Sequence, residues 1–125
     1  MGFLRKNKAD GNRSRRPDEY AISDNLKVIF NSKGLVPVII QHQKTSEVLR
    51  FGYLDRWALE MSLNDRKVYL FRRSLQRVEA MGEEDDNEYK ISSIKLGRYY
   101  RCLLFKVNPT NPQKADSNFI HSIDE

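Results

Sequence analysis

Residues 34–63, GLVPVIIQHQKTSEVLRFGYLDRWALEMSL, decide the fold. Val36, Val38, Ile39 and Ile40 form a β-branched run bounded by Gly34 and Pro37. Proline removes a ladder donor and is tolerated near strand termini, so this run reads as a strand. Gln43-Lys44-Thr45-Ser46 is a polar connection, and Val48, Leu49, Phe51 and Tyr53 resume the apolar pattern, giving a hairpin without the tight Asn-Gly type of turn. Asp55 then stands where a helix N-cap belongs, and Trp57, Ala58, Leu59, Met61 and Leu63 follow at helical spacing. Strand, turn, strand and helix thus occupy one continuous segment.

Downstream, Asn64-Asp65 marks a stop, and Lys67-Val68-Tyr69-Leu70-Phe71 reads as a strand ending in Arg72-Arg73-Ser74-Leu75-Gln76-Arg77. An acidic loop spans Glu79 to Glu88. Tyr89–Leu96 and Tyr99–Val107 are the last two strands, with Gly97-Arg98 as their tight turn. In the second, Tyr99, Arg101, Leu103, Phe105 and Val107 share one face. Beyond Asn108 the chain carries Pro109 and Pro112 and reads as irregular as far as Asn118-Phe119-Ile120-His121. Upstream, Asn25–Phe30 is a short helix or strand leading into a turn at Asn31–Gly34. The expected architecture is α+β, a small mixed or antiparallel sheet with one principal helix. The domain spans 25–118, between a basic flexible tail at 1–24 and a C-terminal tail at 119–125.

The chain has 125 residues, of which 39% are hydrophobic, enough for one small domain and too few for two. No apolar run approaches the roughly 20 residues of a membrane span, and the N-terminus lacks a stretch of signal-peptide length. Lys6 occupies the place where a myristoylation signal requires Ser or Thr. One cysteine, Cys102, cannot form an internal disulfide. These features lead to an expectation of a cytoplasmic protein with no membrane partner.

The net charge of +5 is unevenly laid out. Arg5, Lys6, Lys8, Arg13, Arg15 and Arg16 face a single acid, Asp10, whereas Glu79 to Glu88 holds six acids and no base. The basic tail reads first as a solvated arm and second as a contact for nucleic acid or another polyanion. No recognition helix, zinc finger or aromatic RNA-binding signature accompanies it, so nucleic acid is a secondary candidate partner.

The opening segment also resembles that of the phosphoribosyl-AMP cyclohydrolases, histidine-pathway enzymes that hydrolytically open a purine ring. That family reads Gly-Leu-(Val/Ile)-Pro-(Ala/Val)-(Ile/Val)-(Val/Ala)-Gln, then Gly-Glu-Val-Leu-Met-(Leu/Val)-Ala-Tyr-Met-(Asn/Asp)-x-Glu-Ala-Leu. Gly34, Leu35, Pro37, Val38, Ile39, Gln41, Glu47, Val48, Leu49, Tyr53, Asp55, Ala58 and Leu59 match it. The resemblance implies the family's α+β fold and a homodimer with sites at the subunit boundary.

The chemistry-bearing motifs of that family do not carry over. Its Phe-(Trp/Tyr)-Ser-Arg-Ser-Arg corresponds to the stretch from Leu70, which keeps the basic character and Ser74. Its phosphate-holding Lys-Gly-Glu-Thr-Ser-Gly-Asn corresponds to a stretch that keeps Gly82, Glu83 and Asn87 but replaces small positions by acids. The metal-binding Asp-Cys-Asp-Gly-Asp aligns with Gly97, Arg98, Tyr99, Tyr100 and Arg101, and the zinc-completing Cys-His element aligns with Lys114–Phe119. The first stretch carries no carboxylate and no thiolate, and the second has neither cysteine nor histidine. Three zinc ligands are not assembled from Cys102 and the distant His42 and His121.

The expectation is therefore a cyclohydrolase-like protein without metal or cofactor and without catalytic residues. It would be a re-purposed binder of an anionic, nucleotide-like small molecule. Arg72, Arg73, Ser74, Arg77, Arg98 and Arg101 are the candidate ligand residues, because guanidinium forks suit phosphate oxygens. A competing reading pairs these arginines with the acidic loop. Two other functional readings stay open: an interaction or regulatory protein using its basic arm, and a phosphoribosyl-nucleotide hydrolase with an atypical site. Trp57 is expected in the core or a dimer interface, Tyr99 and Tyr100 in packing, Glu83 in a solvated loop, and Cys102 as a buried small hydrophobe.

Overall fold

The computed structural model describes residues 18–124. The basic stretch up to Arg16 therefore lies outside the described residues.

The hairpin forms where the apolar pattern places it. Val36–His42 (β3) pairs antiparallel with Val48–Leu54 (β4), in register from Val36↔Leu54 to Gln41↔Val48. Two further strands, Tyr89–Leu96 (β7) and Leu103–Pro109 (β8), pair antiparallel with each other. β8 lies parallel to β3, from Val38↔Leu103 to His42↔Val107. The resulting mixed sheet has the order β4-β3-β8-β7. In both central strands the first, third, fifth and seventh residues are buried, and Phe105 and Ile40 have no exposed surface at all. Full burial of one such side chain contributes about 1.5–3 kcal/mol.

The helix α1, Arg56–Asp65, begins as read: the Asp55 carboxylate accepts from the Ala58 amide at 2.8 Å. It ends at Arg66, whose φ of 56° turns the chain while its N–H donates to the Ser62 carbonyl. Buried Ser62 ties the helix to the next strand, its Oγ accepting from the Tyr69 amide at 3.0 Å. That strand, Tyr69–Arg72 (β5), forms a separate ribbon with Arg77–Ala80 (β6). A third ribbon joins Glu19–Ala21 (β1) to Lys27–Ile29 (β2). Val28 and Phe30 place the second strand of that ribbon and its end in the main core. No helix among the described residues is long and apolar enough to cross a membrane.

Several expectations need correction. The 25–30 segment takes the strand form of its two readings, but its partner β1 falls inside the span read as tail. The stretch read as one acidic loop, Glu79 to Glu88, contains the end of β6 and a 3-10 turn at Glu83–Asp85. A 3-10 turn at Pro112–Lys114 follows β8 where irregular chain was expected. The last strand starts at Leu103, four residues after Tyr99. Leu103, Phe105 and Val107 do share a buried face, but Tyr99 is 74% exposed. Residues 97–102 form a longer connection than a tight turn, closed by the Gly97 amide donating to the Cys102 carbonyl at 2.8 Å. Tyr100 takes a φ of 68° within it, which no residue type there signals. Trp57 is 61% exposed and so is not core; it sits in the first turn on the helix face away from Ala58 and Leu59. Cys102 is half-buried rather than buried.

Candidate anion-binding cleft

β4 is an edge strand of the main sheet, and β5 approaches it closely at Gly52, where a Cβ would lie 3.2 Å from the Leu70 Cδ2. Between them opens a cleft of about 540 Å³. Arg50–Tyr53 form one wall and Leu70–Arg73 another, with Gly82, Glu84, Asp85, Tyr89 and Asn118 completing it.

Three guanidinium side chains line this cleft. Arg73 lies over the Tyr53 ring, 4.4 Å from its centroid, a cation–π contact that fixes the side chain. Arg72 donates from Nη1 to Glu79 Oε1 at 3.0 Å, and Arg77 donates to the other oxygen of the same carboxylate at 2.6 Å. The hydrogen bond from Arg77, with the charges of both arginines, holds the Glu79 carboxyl below its ordinary value. For Arg72 and Arg77 the pairing with acids read from the sequence is therefore what forms. The third guanidinium, Arg50, escaped the sequence reading. It is half-buried, and its Nε is buried with no hydrogen-bond partner. The available signal was a charge inside the apolar run Val48–Tyr53, where the resembled pattern reads Met. An alternating strand makes such a residue look like an ordinary solvent-facing one.

The remaining candidates lie elsewhere. Ser74 and Arg77 are exposed around the β5–β6 turn and do not line the cleft. Arg98 and Arg101 sit in the exposed 97–102 connection, also outside it. Of the six predicted residues, the structure brings only Arg72 and Arg73 together here and adds Arg50.

The turn that corresponds to the family's phosphate-holding segment is chiefly structural. Gly82 has a φ of 82°, and a Cβ on it would meet Tyr89 Cε2 at 2.7 Å. Asn87 is buried, donating from Nδ2 to the Asn111 carbonyl at 2.9 Å and accepting from the Asn111 amide at 2.8 Å. It clamps the start of β7 to the chain leaving β8. Glu83 is exposed, as read. Glu84 and Asp85 put two exposed carboxylates on the cleft's outer wall. Tyr89 is buried at its base, and burial pushes its phenol above the ordinary value, with Arg50 acting in the opposite sense.

The zinc and magnesium implied by the resemblance do not fit the residues present. Around Gly97–Arg101 the side chains are guanidiniums and phenols, and the Tyr100 carbonyl is occupied by the Ile29 amide at 2.8 Å. In the 114–119 stretch, Ser117 Oγ donates to the Val48 carbonyl and the Asn118 amide to the Leu49 carbonyl, docking this segment on β4. His42 is the buried last residue of β3, where its Nδ1 accepts from the Lys44 amide at 3.1 Å, and His121 is exposed. Among the described residues, no three side chains of His, Cys, Asp or Glu form a group able to hold a metal ion.

Comparison with known proteins adds a direct relation. No family model matches the chain. A phosphoribosyl-AMP cyclohydrolase of Nitrosopumilus maritimus is 36% identical over 81 residues, covering 65% of this chain and 75% of that protein. The histidine biosynthesis bifunctional protein HisIE of Staphylococcus epidermidis is 42% identical over 86 residues, or 69% of this chain. That of Campylobacter jejuni is 44% identical over 78 residues, or 62% of this chain. The matched regions span 41% and 38% of those two bifunctional proteins.

Proposed function

Because the chain belongs to the phosphoribosyl-AMP cyclohydrolase family, we propose that it uses the family scaffold to bind a phosphorylated, nucleotide-like small molecule in the β4–β5 cleft, without metal-dependent hydrolysis. One observation carries this reading: Arg50, Arg72 and Arg73 converge on a cleft whose walls include Tyr53, and Arg50 keeps a buried donor unpaired. An unpaired buried donor costs about 1–3 kcal/mol, more when charged. An anion in the cleft would take charge-assisted hydrogen bonds from the guanidiniums that line it, and a shift of Arg50 to meet it would release the orphaned Nε. Arg73, held on Tyr53, offers a flat cationic face beside it for a second anionic group or a base.

Hydrolysis in this family's manner requires a Lewis acid that brings the pKa of bound water towards neutrality. The guanidiniums and phenols at Gly97–Arg101 favour the non-catalytic reading. A homodimer is part of the proposal, supported by the large apolar side chains Trp57 and Phe51, 61% and 47% exposed.

The test is a thermal-shift panel with AMP and phosphoribosyl-AMP, each in chelator and in zinc or magnesium. A ligand at about 100 times its Kd stabilises the folded chain by about 2.7 kcal/mol. A rise in Tm of several degrees in chelator supports the proposal. A response confined to zinc, or turnover of phosphoribosyl-AMP, favours the atypical hydrolase, with Glu84 and Asp85 as the carboxylates to mutate. Sedimentation velocity checks the dimer.

A further inference from the structure

The arginines excluded from the cleft are not scattered. From Tyr89 to Ala115 the chain carries six basic residues, Lys90, Lys95, Arg98, Arg101, Lys106 and Lys114, and no acid. β7 and β8 account for most of this stretch, so the hairpin of edge strand β7 and central strand β8 carries bases and no acid. At its tip Arg98 and Arg101 are exposed and flank Tyr99, 74% exposed. Neither arginine forms an ion pair among the described residues, unlike Arg72 and Arg77. The tip is also fixed. The Tyr100 amide donates to Gly97 O at 3.0 Å and its carbonyl accepts from Ile29, which together hold a φ of 68° that is costly for a bulky residue.

The tip is tied through β2 to the first described residues. The Ile29 amide reaches Tyr100, while the next amide, that of Phe30, donates to the Asp18 carbonyl at 2.8 Å.

We propose that the β7–β8 tip is a contact surface for single-stranded nucleic acid, with Tyr99 stacking on an unpaired base and Arg98 and Arg101 binding the phosphates on either side. The surface is open, so it suits a chain of repeated phosphates better than a small anion that needs walls. A protruding phenol with a free face requires an unstacked base, which a duplex does not offer. The fixed tip loses little freedom on binding. This surface is separate from the nucleotide cleft and does not depend on it.

The experiment is fluorescence anisotropy of a labelled oligouridylate titrated with the whole chain across a salt series. The wild type should bind at low salt and weaken steeply as salt rises. Replacing both arginines (R98A with R101A) should weaken binding about tenfold or more and flatten the log–log salt slope by about 1.4, two phosphates at about 0.7 each. Tyr99→Ala should weaken binding about fivefold or more and leave the slope unchanged. R98K with R101K should retain the slope, and a duplex of equal length should bind more weakly. The proposal is overturned if oligouridylate fails to bind at low salt. It is equally overturned if the alanine variants, with unchanged melting curves, bind with wild-type affinity and slope.

Discussion

The central strands β3 and β8 and the outlying ribbon β5–β6 use the β-strand in opposite ways. In β3 and β8 every second side chain is sealed, and the alternation that reads from the sequence is the alternation that packs. In the ribbon only Leu70 is buried, and its ends carry Arg72, Arg77 and the Glu79 that joins them. Fold stability therefore resides in the first pair, and the proposed ligand cleft lies against the second, so the two should respond separately to mutation.

The largest effect should come from the central pair. Phe105→Ala removes a side chain with no exposed surface and should cost about 3–5 kcal/mol in urea unfolding. A loss under about 1 kcal/mol would break the comparison. Next comes Asn87→Ala, which leaves the Asn111 amide and carbonyl without their partners and should cost about 1–3 kcal/mol. If Asn87 were a ligand residue instead, nucleotide affinity would fall and stability would hold. Arg50→Met should do the reverse of Asn87→Ala. Stability should stay within about 1 kcal/mol, because a buried orphan donor disappears, while nucleotide affinity drops about tenfold, or about 1.4 kcal/mol.

The smallest effect should be on acid stability. Glu79 titrates below its ordinary 4.5, so its contribution is complete above that pH and is lost as pH falls through the depressed value. Glu79→Gln should slightly flatten the stability–pH curve on the acid side and leave it unchanged at neutral pH. A neutral-pH loss comparable with that of Asn87→Ala would place the ribbon in the core.

What the sequence revealed follows the same division. The β3–β4 hairpin, the Asp55 cap and the whole of β7 were legible because alternation and capping are local signals. The tip at 97–102 was not, since Tyr100 adopts a left-handed conformation without Gly or Asn to announce it, and β8 was started too early as a result. Arg98 and Arg101 were assigned to the cleft through the resemblance, which aligns positions along the chain; the exposed connection keeps both outside its walls. Arg50 was missed because its significance depends on β5, twenty residues downstream, which forms the other wall of the cleft. The structural role of Asn87 was not legible because its partner, Asn111, is distant in sequence.

The central claim is that the β4–β5 cleft, anchored by Arg50, binds a nucleotide without metal. Calorimetric titration of AMP into the wild type and into Arg50→Met, both in chelator, addresses it most directly. The expected result is saturable binding by the wild type and about tenfold weaker binding by the variant. Equal binding by both proteins, or binding by the wild type only after zinc is restored, would contradict it.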